Sequence, residues 1–187
     1  VPFIFITQAA LAFHNWLDGP RSHYGGEGGA PGPIIGAIAG AVIGDQEIEI
    51  RARNRLREAM PRTGRFSVTS YNRQLLLTGQ VPDEATRTRA GEVVTGIAEV
   101  RNVFNELSVS GAASLGSSAN DTAITSQVKT RLLADQRVPG TKVKVVTETG
   151  VVYLMGLVKR TEAAAAAEVA STTSGVARVV VLFEILD

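Results

Sequence analysis

A stretch of about 76 residues occurs twice in this chain. Three separate blocks of the first copy align with three blocks of the second, in the same order. The aligned pairs are Ile48–Leu56 with Ile124–Leu132, Val68–Val81 with Val145–Val158, and Glu92–Leu107 with Glu168–Phe183. An internal duplication of this kind predicts a fold made of two copies of one small module.

Each copy has the pattern helix, strand, strand, helix, strand. The first helix is clearest in the second copy, where Ile124, Val128 and Leu132 recur every four residues and form one stripe of an amphipathic helix. Asn120 and Asp121 come just before this stripe. They are suitable N-cap residues, because their side-chain oxygens can accept hydrogen bonds from first-turn N–H groups.

The rest of the second copy predicts a hairpin, a helix and a strand. Lys142–Thr147 and Val151–Val158 are rich in β-branched residues and are separated by Glu-Thr-Gly, which indicates a β-hairpin. Thr161–Thr173 is rich in strong helix formers. Val176–Ile185 then predicts a strand with one apolar face, to which alternate residues contribute.

The predicted fold class is therefore α+β. It has two tandem αββαβ modules, each a small three-stranded mixed sheet with two helices packed on one face. The predicted boundaries are 46–109 for the first module, 110–119 for a Gly/Ser/Ala linker and 120–187 for the second module. Gly79 and Gly156 fall inside predicted strands, which indicates either a bulge or a close approach of two backbones.

Residues 1–45 differ in composition from the modules and are rich in Gly and Pro. Val1–Leu17 is apolar, but it lacks a basic start and contains His14 and Asn15. It is compatible with an altered export signal and is too short and polar for a membrane span. Gly32–Gly44 has a glycine at every fourth residue, a spacing that fits a flexible tether or a helix packed against another helix or a membrane surface.

Composition excludes several function classes. The chain has 19 Lys and Arg against 18 Asp and Glu, so a general nucleic-acid binder is not indicated. It has no cysteine, which removes disulfides, thiolate metal sites and Cys nucleophiles. Both histidines, His14 and His23, lie outside the modules without acidic residues at ligand spacing, so no metal site is predicted.

Catalysis is not predicted either, and no cofactor motif occurs. Neither module contains a His or Cys to activate its many Ser and Thr hydroxyls. A carboxylate pair remains the only conceivable catalyst, and no motif indicates one.

The arginines of residues 51–57 suggest a nucleic-acid-binding stripe at first. Glu47 and Glu49 precede Arg51 and Arg53 by four residues, however, so a solvated, salt-bridged face is favoured.

Four segments then make the sequence recognisable: Leu75–Val81 and Val100–Asn105 in the first copy, and Val152–Val158 and Gly175–Val181 in the second. A strand with a glycine two residues before its last valine, followed after a helix by a GV-x-x-V-x-N pattern, resembles the BON domain family (bacterial OsmY and nodulation). Val181 replaces the final Asn in the second copy. The tandem arrangement is most similar to the dual-BON outer-membrane lipoproteins of Gram-negative bacteria.

The resemblance implies a non-enzymatic, periplasm-facing protein associated with the outer membrane. It implies that the protein supports outer-membrane integrity and binds anionic phospholipid through the first helix of its second BON domain. Members of that group carry a lipid-modified cysteine, and this sequence contains none, so anchoring stays open. The alternative is a periplasmic scaffold or stress chaperone that binds other envelope proteins without lipid specificity.

The predicted lipid-binding residues lie on the first helix of the second copy, opposite its apolar stripe: Ala123, Ser126, Lys129, Thr130 and Leu133. A leucine beside small uncharged residues and a lysine suits a membrane surface. Nearby cations add roughly 1 kcal/mol each against an anionic surface if they cluster. The candidates for such a cluster are Lys129, Arg131, Lys142 and Lys144.

Two observations argue against this site. The relatives resembled here often have an aromatic residue at the position of Ala123, and aromatics anchor well at lipid interfaces. Single exposed leucines are also ordinary in soluble proteins, and Leu133 could instead pack against the other module. In favour of the site, the same face of the first copy carries Glu47, Ile50, Asn54 and Arg57, with charges of both signs, and this asymmetry agrees with the second copy being the one that binds lipid.

Overall fold

The computed structural model describes residues 34–61, 63–109 and 118–186. The described residues form two compact units, which divide between Asn120 and Asp121. We call them the first and the second module. The predicted export signal and most of the predicted linker lie outside the described residues.

The first module follows the predicted order of elements. Helix α1 leads into an antiparallel hairpin of strands β1 and β2, and helix α2 returns the chain to strands β3 and β4, both parallel to β2. The elements are α1 (Ile34–Ala59), β1 (Arg65–Tyr71), β2 (Gln74–Val81), α2 (Glu84–Thr95), β3 (Asn102–Asn105) and β4 (Ser108–Val109).

The second module repeats this order with a continuous last strand. Its sheet has the order β5-β6-β7, with β5 and β6 antiparallel and β7 parallel to β6. The elements are α3 (Ser118–Ala134), a 3₁₀ helix (Gly140–Lys142), β5 (Val143–Glu148), β6 (Val151–Val158), α4 (Arg160–Ser171) and β7 (Arg178–Ile185). The predicted α+β class and αββαβ repeat are confirmed.

The predicted helix stripe lies in the core of each module. Ile124, Val128 and Leu132 are buried against inward-facing residues of β5, β6 and β7 and against the alanines of α4. Ile48 and Leu56 occupy the equivalent core positions of α1. Each fully buried side chain of this size contributes about 2 kcal/mol through the hydrophobic effect, so this stripe fixes which face of α3 points to solvent.

Both hairpins turn through two residues with positive φ. In the second module these are Thr149 (φ 51°) and Gly150 (φ 74°), and in the first they are Asn72 (φ 50°) and Arg73 (φ 62°). Turns of this kind match the right-handed twist of the flanking strands. The Glu-Thr-Gly signal predicted the second turn, whereas the first, with an arginine in the left-handed region, has no such signal.

Gly79 and Gly156 mark close backbone approaches rather than bulges. A Cβ on Gly79 would lie 1.9 Å from the Arg65 carbonyl oxygen, and one on Gly156 would lie 2.6 Å from the Lys142 carbonyl oxygen. Pairing of β2 with β1 continues through Gly79, and pairing of β6 with β7 continues through Gly156, where the pairing with β5 begins. Gly79 also has φ +122°, a conformation that L side chains rarely adopt.

The first module departs from the expected three strands because its last strand is divided. The Asn105 amide donates to the Arg87 carbonyl at 2.8 Å, and its oxygen accepts from the Leu107 N–H at 3.4 Å. Pairing with β2 stops at Asn105 and resumes at Ser108 without a change of register. In the second module Val181 takes the place of Asn105, packs on the core, and β7 is unbroken.

Helix α1 begins at Ile34, ahead of the predicted module start at residue 46. Gly36, Gly40 and Gly44 therefore lie within a helix, which is one of the two alternatives that their spacing allowed. None of the helices in the described part of the chain is both long and apolar enough to cross a bilayer.

Candidate membrane-binding face

The five predicted lipid-binding residues share the solvent-facing side of α3. Because Ile124, Val128 and Leu132 point into the core, the residues on the opposite side of the helix point outward. Leu133 is 55% exposed, more than Ile50, Val109 and Leu186, the other large apolar side chains found exposed from residue 44 onward in the described part of the chain. We define the lipid face by the five residues that lie on it: Ala123, Ser126, Lys129, Thr130 and Leu133, all exposed.

The two hydroxyl groups of the lipid face are already used as donors. The Ser126 hydroxyl donates to the Thr122 carbonyl at 3.0 Å, and the Thr130 hydroxyl donates to the Ser126 carbonyl at 2.9 Å. A hydroxyl has one proton and two acceptor lone pairs. The surface of the helix therefore presents hydroxyl oxygens as acceptors, beside the Lys129 ammonium, which only donates.

The first turn of α3 is tied to the hairpin by Asp121. The prediction that Asn120 and Asp121 cap the helix is wrong, because α3 begins at Ser118 and both residues lie inside its first turn. The buried Asp121 carboxylate instead accepts hydrogen bonds from the backbone N–H groups of Thr149 at 2.8 Å and Gly150 at 2.9 Å. Each carboxylate oxygen of Asp121 thus accepts one hydrogen bond from the hairpin turn.

Two further polar contacts hold α3 in place. One turn beyond Asp121, the Thr125 and Thr147 hydroxyls are 2.7 Å apart. Near the other end, the Arg131 guanidinium donates to the hydroxyls of Thr173 at 2.7 Å and Thr172 at 3.0 Å, where α4 ends. Helix α3 is therefore connected to both the sheet and the second helix of its module.

The four candidate cations do not form one cluster on the lipid face. The Arg131 guanidinium is directed to Thr172 and Thr173. Lys144 alternates along β5 with Val143 and Val145, which pack on the core, so it lies on the sheet face away from the helices. Lys142 belongs to the 3₁₀ helix, and only Lys129 lies on the lipid face itself.

Beyond Leu133 the chain turns back against the end of α3. A Cβ on Gly140 would lie 2.7 Å from the Leu132 carbonyl oxygen and 2.9 Å from the Leu133 Cα. In the same turn the Arg137 guanidinium contacts Asp135 at 2.8 Å and Glu168 at 3.1 Å. These two carboxylates compensate the positive charge of Arg137. The hydrogen bond from Arg137 lowers the pKa of the Asp135 carboxyl to about 2.

The equivalent face of the first module carries a salt-bridged surface. Glu47 pairs with Arg51, and Glu49 pairs with Arg53 at 2.7 Å. Arg51 also lies 3.5 Å from Glu99. These pairs confirm the predicted solvated face, and Ile50 is a large apolar side chain exposed on α1.

Two further features of the described residues bear on other kinds of site. No group of three His, Cys, Asp or Glu side chains in this part of the chain could hold a metal ion. An open depression, lined mostly by polar and charged residues, runs along α2 of the first module, where Gly91 lacks a side chain beside Asn105. Its arginine, Arg87, is held by Glu84 at 3.1 Å and by the Asn105 carbonyl at 3.2 Å.

Sequence reasoning missed Asp121, Arg131 and Thr172 as the contacts that orient α3. The repeat itself contained the signal for two of them. Asp45 and Arg55 precede Asp121 and Arg131 by the same offset, and Arg55 donates to the Gly96 carbonyl at 2.8 Å, at the end of α2. Polar residues retained in both copies thus mark contacts between elements rather than ligand positions.

The fold, the duplication and the motifs together define a tandem BON protein. The sequence profile of the BON domain family matches residues 37–111 and 120–187, and the chain belongs to this family. The first match starts inside α1, a few residues after the helix begins at Ile34.

Three known proteins are similar to this chain. The "Outer membrane lipoprotein DolP" of Haemophilus influenzae is 38% identical over 150 residues, which cover 79% of this chain and 78% of that protein. The "21 kDa hemolysin" of Actinobacillus pleuropneumoniae is 35% identical over 150 residues, covering 79% and 77%. "Osmotically-inducible protein Y" of Escherichia coli is 40% identical over 95 residues, covering 50% of this chain and 47% of that protein.

Proposed function

We propose that this chain is a non-enzymatic protein of the bacterial envelope that binds anionic phospholipid membranes through the lipid face of α3. Its location would be the periplasmic side of the outer membrane, where it would support membrane integrity. Family membership supports the envelope assignment, as does the similarity to a protein named as an outer-membrane lipoprotein.

The observation that carries this proposal is the pairing of Leu133 with Lys129 on an otherwise small and uncharged surface. The two residues are four positions apart, so their side chains are neighbours on the helix. Leu133 is 55% exposed and can enter the boundary between headgroups and acyl chains, while the Lys129 ammonium stays at the phosphates. The first module has Arg57 at the position of Leu133, which makes its face unsuited to the same role.

The expected affinity is low. Only one cation lies on the lipid face, and one Lys near an anionic surface is worth roughly 1 kcal/mol. One half-buried leucine adds about 1 kcal/mol. A single module of this kind therefore binds weakly and reversibly, and its binding should weaken as salt is raised because the Debye length shortens.

Co-sedimentation of the full chain with vesicles tests the proposal. Vesicles of phosphatidylglycerol in phosphatidylcholine are compared with phosphatidylcholine alone, at low and moderate salt. We expect binding only to the anionic vesicles, and we expect Leu133→Asp and Lys129→Glu each to reduce it strongly.

Two variants of the first module serve as matched controls. Ile50→Asp makes the same kind of change at an apolar side chain that is 50% exposed, and Arg89→Glu makes the same change of net charge at an exposed cation of α2. Both should bind like the original chain. Equal losses in all four variants would mean that net charge or folding, and not the lipid face, controls binding.

Absence of binding to either vesicle would refute lipid binding. The remaining candidate would then be a protein-interaction scaffold of the envelope, tested by the partners that co-purify with the chain from a Gram-negative periplasm. The role in membrane integrity has a separate test, namely the detergent sensitivity of a strain that lacks its own dual-BON lipoprotein and expresses this chain on the outer membrane.

A further inference from the structure

We infer that Ser126 and Thr130 determine which anionic headgroup the lipid face prefers, by accepting hydrogen bonds from it. The preferred headgroup would carry donor groups beyond its phosphate, as the hydroxyls of a glycerol headgroup do. This inference rests on the proposed function, since it concerns the same face of α3.

The direction of the existing hydrogen bonds carries the argument. The Ser126 hydroxyl is 3.0 Å from the Thr122 carbonyl oxygen and the Thr130 hydroxyl is 2.9 Å from the Ser126 carbonyl oxygen. A carbonyl oxygen only accepts, so in both contacts the hydroxyl supplies its single proton. What each hydroxyl still offers to a ligand is its lone pairs.

Lys129 supplies the complementary chemistry from the adjacent position. Its ammonium group has three donors and no acceptor, which suits a phosphate oxygen. Ser126 lies three residues before Lys129 and four residues before Thr130, so it neighbours both side chains, and a donor and a second acceptor lie on either side of its hydroxyl oxygen. A headgroup that matches this pattern has a phosphate at one end, for Lys129, and hydroxyl donors that extend from it towards Ser126 and Thr130.

A headgroup that lacks either the hydroxyl donors or the net negative charge should bind the lipid face less well. A phosphate ester without further donors leaves the Ser126 and Thr130 oxygens bonded only to water. A zwitterionic headgroup with an ammonium donor has no net charge to be attracted by Lys129. The first module presents Ile50 and Asn54 at the two equivalent positions, so it does not repeat the pattern.

Two lipids of equal charge separate this inference from simple electrostatics. Phosphatidylglycerol and phosphatidylpropanol both carry one negative charge and a three-carbon headgroup, but only the first has hydroxyl groups. We would measure binding of the full chain to phosphatidylcholine vesicles that contain the same mole fraction of either lipid, at low salt. The expected preference for phosphatidylglycerol is about fivefold, the size of one or two net hydrogen bonds at a surface.

Variants assign the preference to the two hydroxyls. The double variant Ser126→Ala with Thr130→Ala should bind both vesicles equally, at the level of the original chain on phosphatidylpropanol. Ser171→Ala is the matched control, because Ser171 is an exposed serine of α4 whose hydroxyl also donates to a backbone carbonyl, that of Glu168 at 2.9 Å. This control should keep the preference.

The outcomes distinguish a failure of the hydroxyl preference from a failure of lipid binding itself. Equal binding of the original chain to both anionic lipids would overturn the role of the hydroxyls and leave the proposed function standing. A preference that survives in the double variant would also overturn it. Failure to bind either anionic vesicle would overturn the proposed function itself, and with it this inference.

Discussion

Asp45 and Asp121 lie at equivalent positions of the two modules, and each buried carboxylate accepts hydrogen bonds from the two residues of its own hairpin turn. The backbone donors are Asn72 at 2.7 Å and Arg73 at 2.7 Å in the first module, and Thr149 at 2.8 Å and Gly150 at 2.9 Å in the second. One side chain therefore joins the first helix to the sheet in each copy. This contact sets where the N-terminal half of α3 lies on its module.

Replacing Asp121 should destabilise the second module. Asp121→Ala leaves two turn N–H groups without their acceptor, and hydrogen bonds to a charged group are worth roughly 2 kcal/mol each. We expect the unfolding free energy of this module to fall by about 3 kcal/mol, measured by urea unfolding. Glu58→Ala, at an exposed helical position of the first module, should change it by less than about 0.5 kcal/mol. Equal effects would contradict the role of Asp121.

Three glycine-to-alanine changes should have three different outcomes. At Gly79 an added Cβ meets the Arg65 carbonyl oxygen at 1.9 Å with φ +122°, so the first module should lose more than about 3 kcal/mol or fail to fold. At Gly156 the nearest atom is at 2.6 Å, in an ordinary conformation, and the loss should be about 2 kcal/mol.

Gly44 is the internal control for this series. It sits inside α1, and within the described part of the chain a Cβ at this position would meet no neighbouring atom within 4 Å. Alanine has a helix propensity about 1 kcal/mol better than glycine, so Gly44→Ala should stabilise the first module by roughly that amount. Thermal unfolding of the three variants tests the expected order of stabilities. Destabilisation by Gly44→Ala would show that the Gly44 surface of α1 is in close contact with another part of a protein.

The pKa of Asp135 should depend on Arg137. The hydrogen bond from Arg137 lowers this pKa to about 2, whereas an unfolded Asp titrates near 3.9. The native state therefore binds the proton less well than the unfolded state, and the resulting stabilisation is complete above about pH 4 and is lost as the pH falls through about 2. NMR titration should find the low value, and Arg137→Gln should return it to the ordinary range. An unchanged pKa in that variant would rule out this cause.

Arg131 and Lys129 should behave differently although both are cations of α3. Arg131→Ala removes the contacts to Thr172 and Thr173, so it should lower stability by about 1 kcal/mol and leave vesicle binding nearly unchanged. Lys129→Ala should leave stability nearly unchanged and weaken binding to anionic vesicles about fivefold, which corresponds to roughly 1 kcal/mol. The reverse pattern, in parallel unfolding and co-sedimentation measurements, would place the working cation at Arg131.

Most of the fold followed from periodicity. As predicted, the core contains the helix stripe of Ile124, Val128 and Leu132 and the alternate apolar residues of β7. The spacing of apolar residues along the chain determines which side of a helix or strand is buried, and this spacing can be read from the sequence. The division of the last strand in the first module did not follow from periodicity. It depends on the Asn105 amide meeting the Arg87 carbonyl, a contact between two different elements of the module.

The candidate site was likewise predicted only in part from the sequence. That Ala123, Ser126, Lys129, Thr130 and Leu133 are exposed was predicted, because the buried stripe leaves this side of α3 to solvent. The distribution of the nearby cations was not predicted. Arg131 follows Lys129 closely in α3, and Lys144 comes later, in β5. Arg131 is directed to the end of α4, and Lys144 lies on the face of the sheet away from the helices.

The sequence by itself determined the duplication, the order of elements and the side of α3 that faces water. These depend on hydrophobic periods of two and 3.6 residues, which each copy specifies locally. Only the tertiary structure decided that Asp121 binds the hairpin turn rather than its own helix, and that one cation remains on the lipid face. Those outcomes require hydrogen-bond partners brought together by packing, and a pattern along the chain does not specify which distant groups will meet.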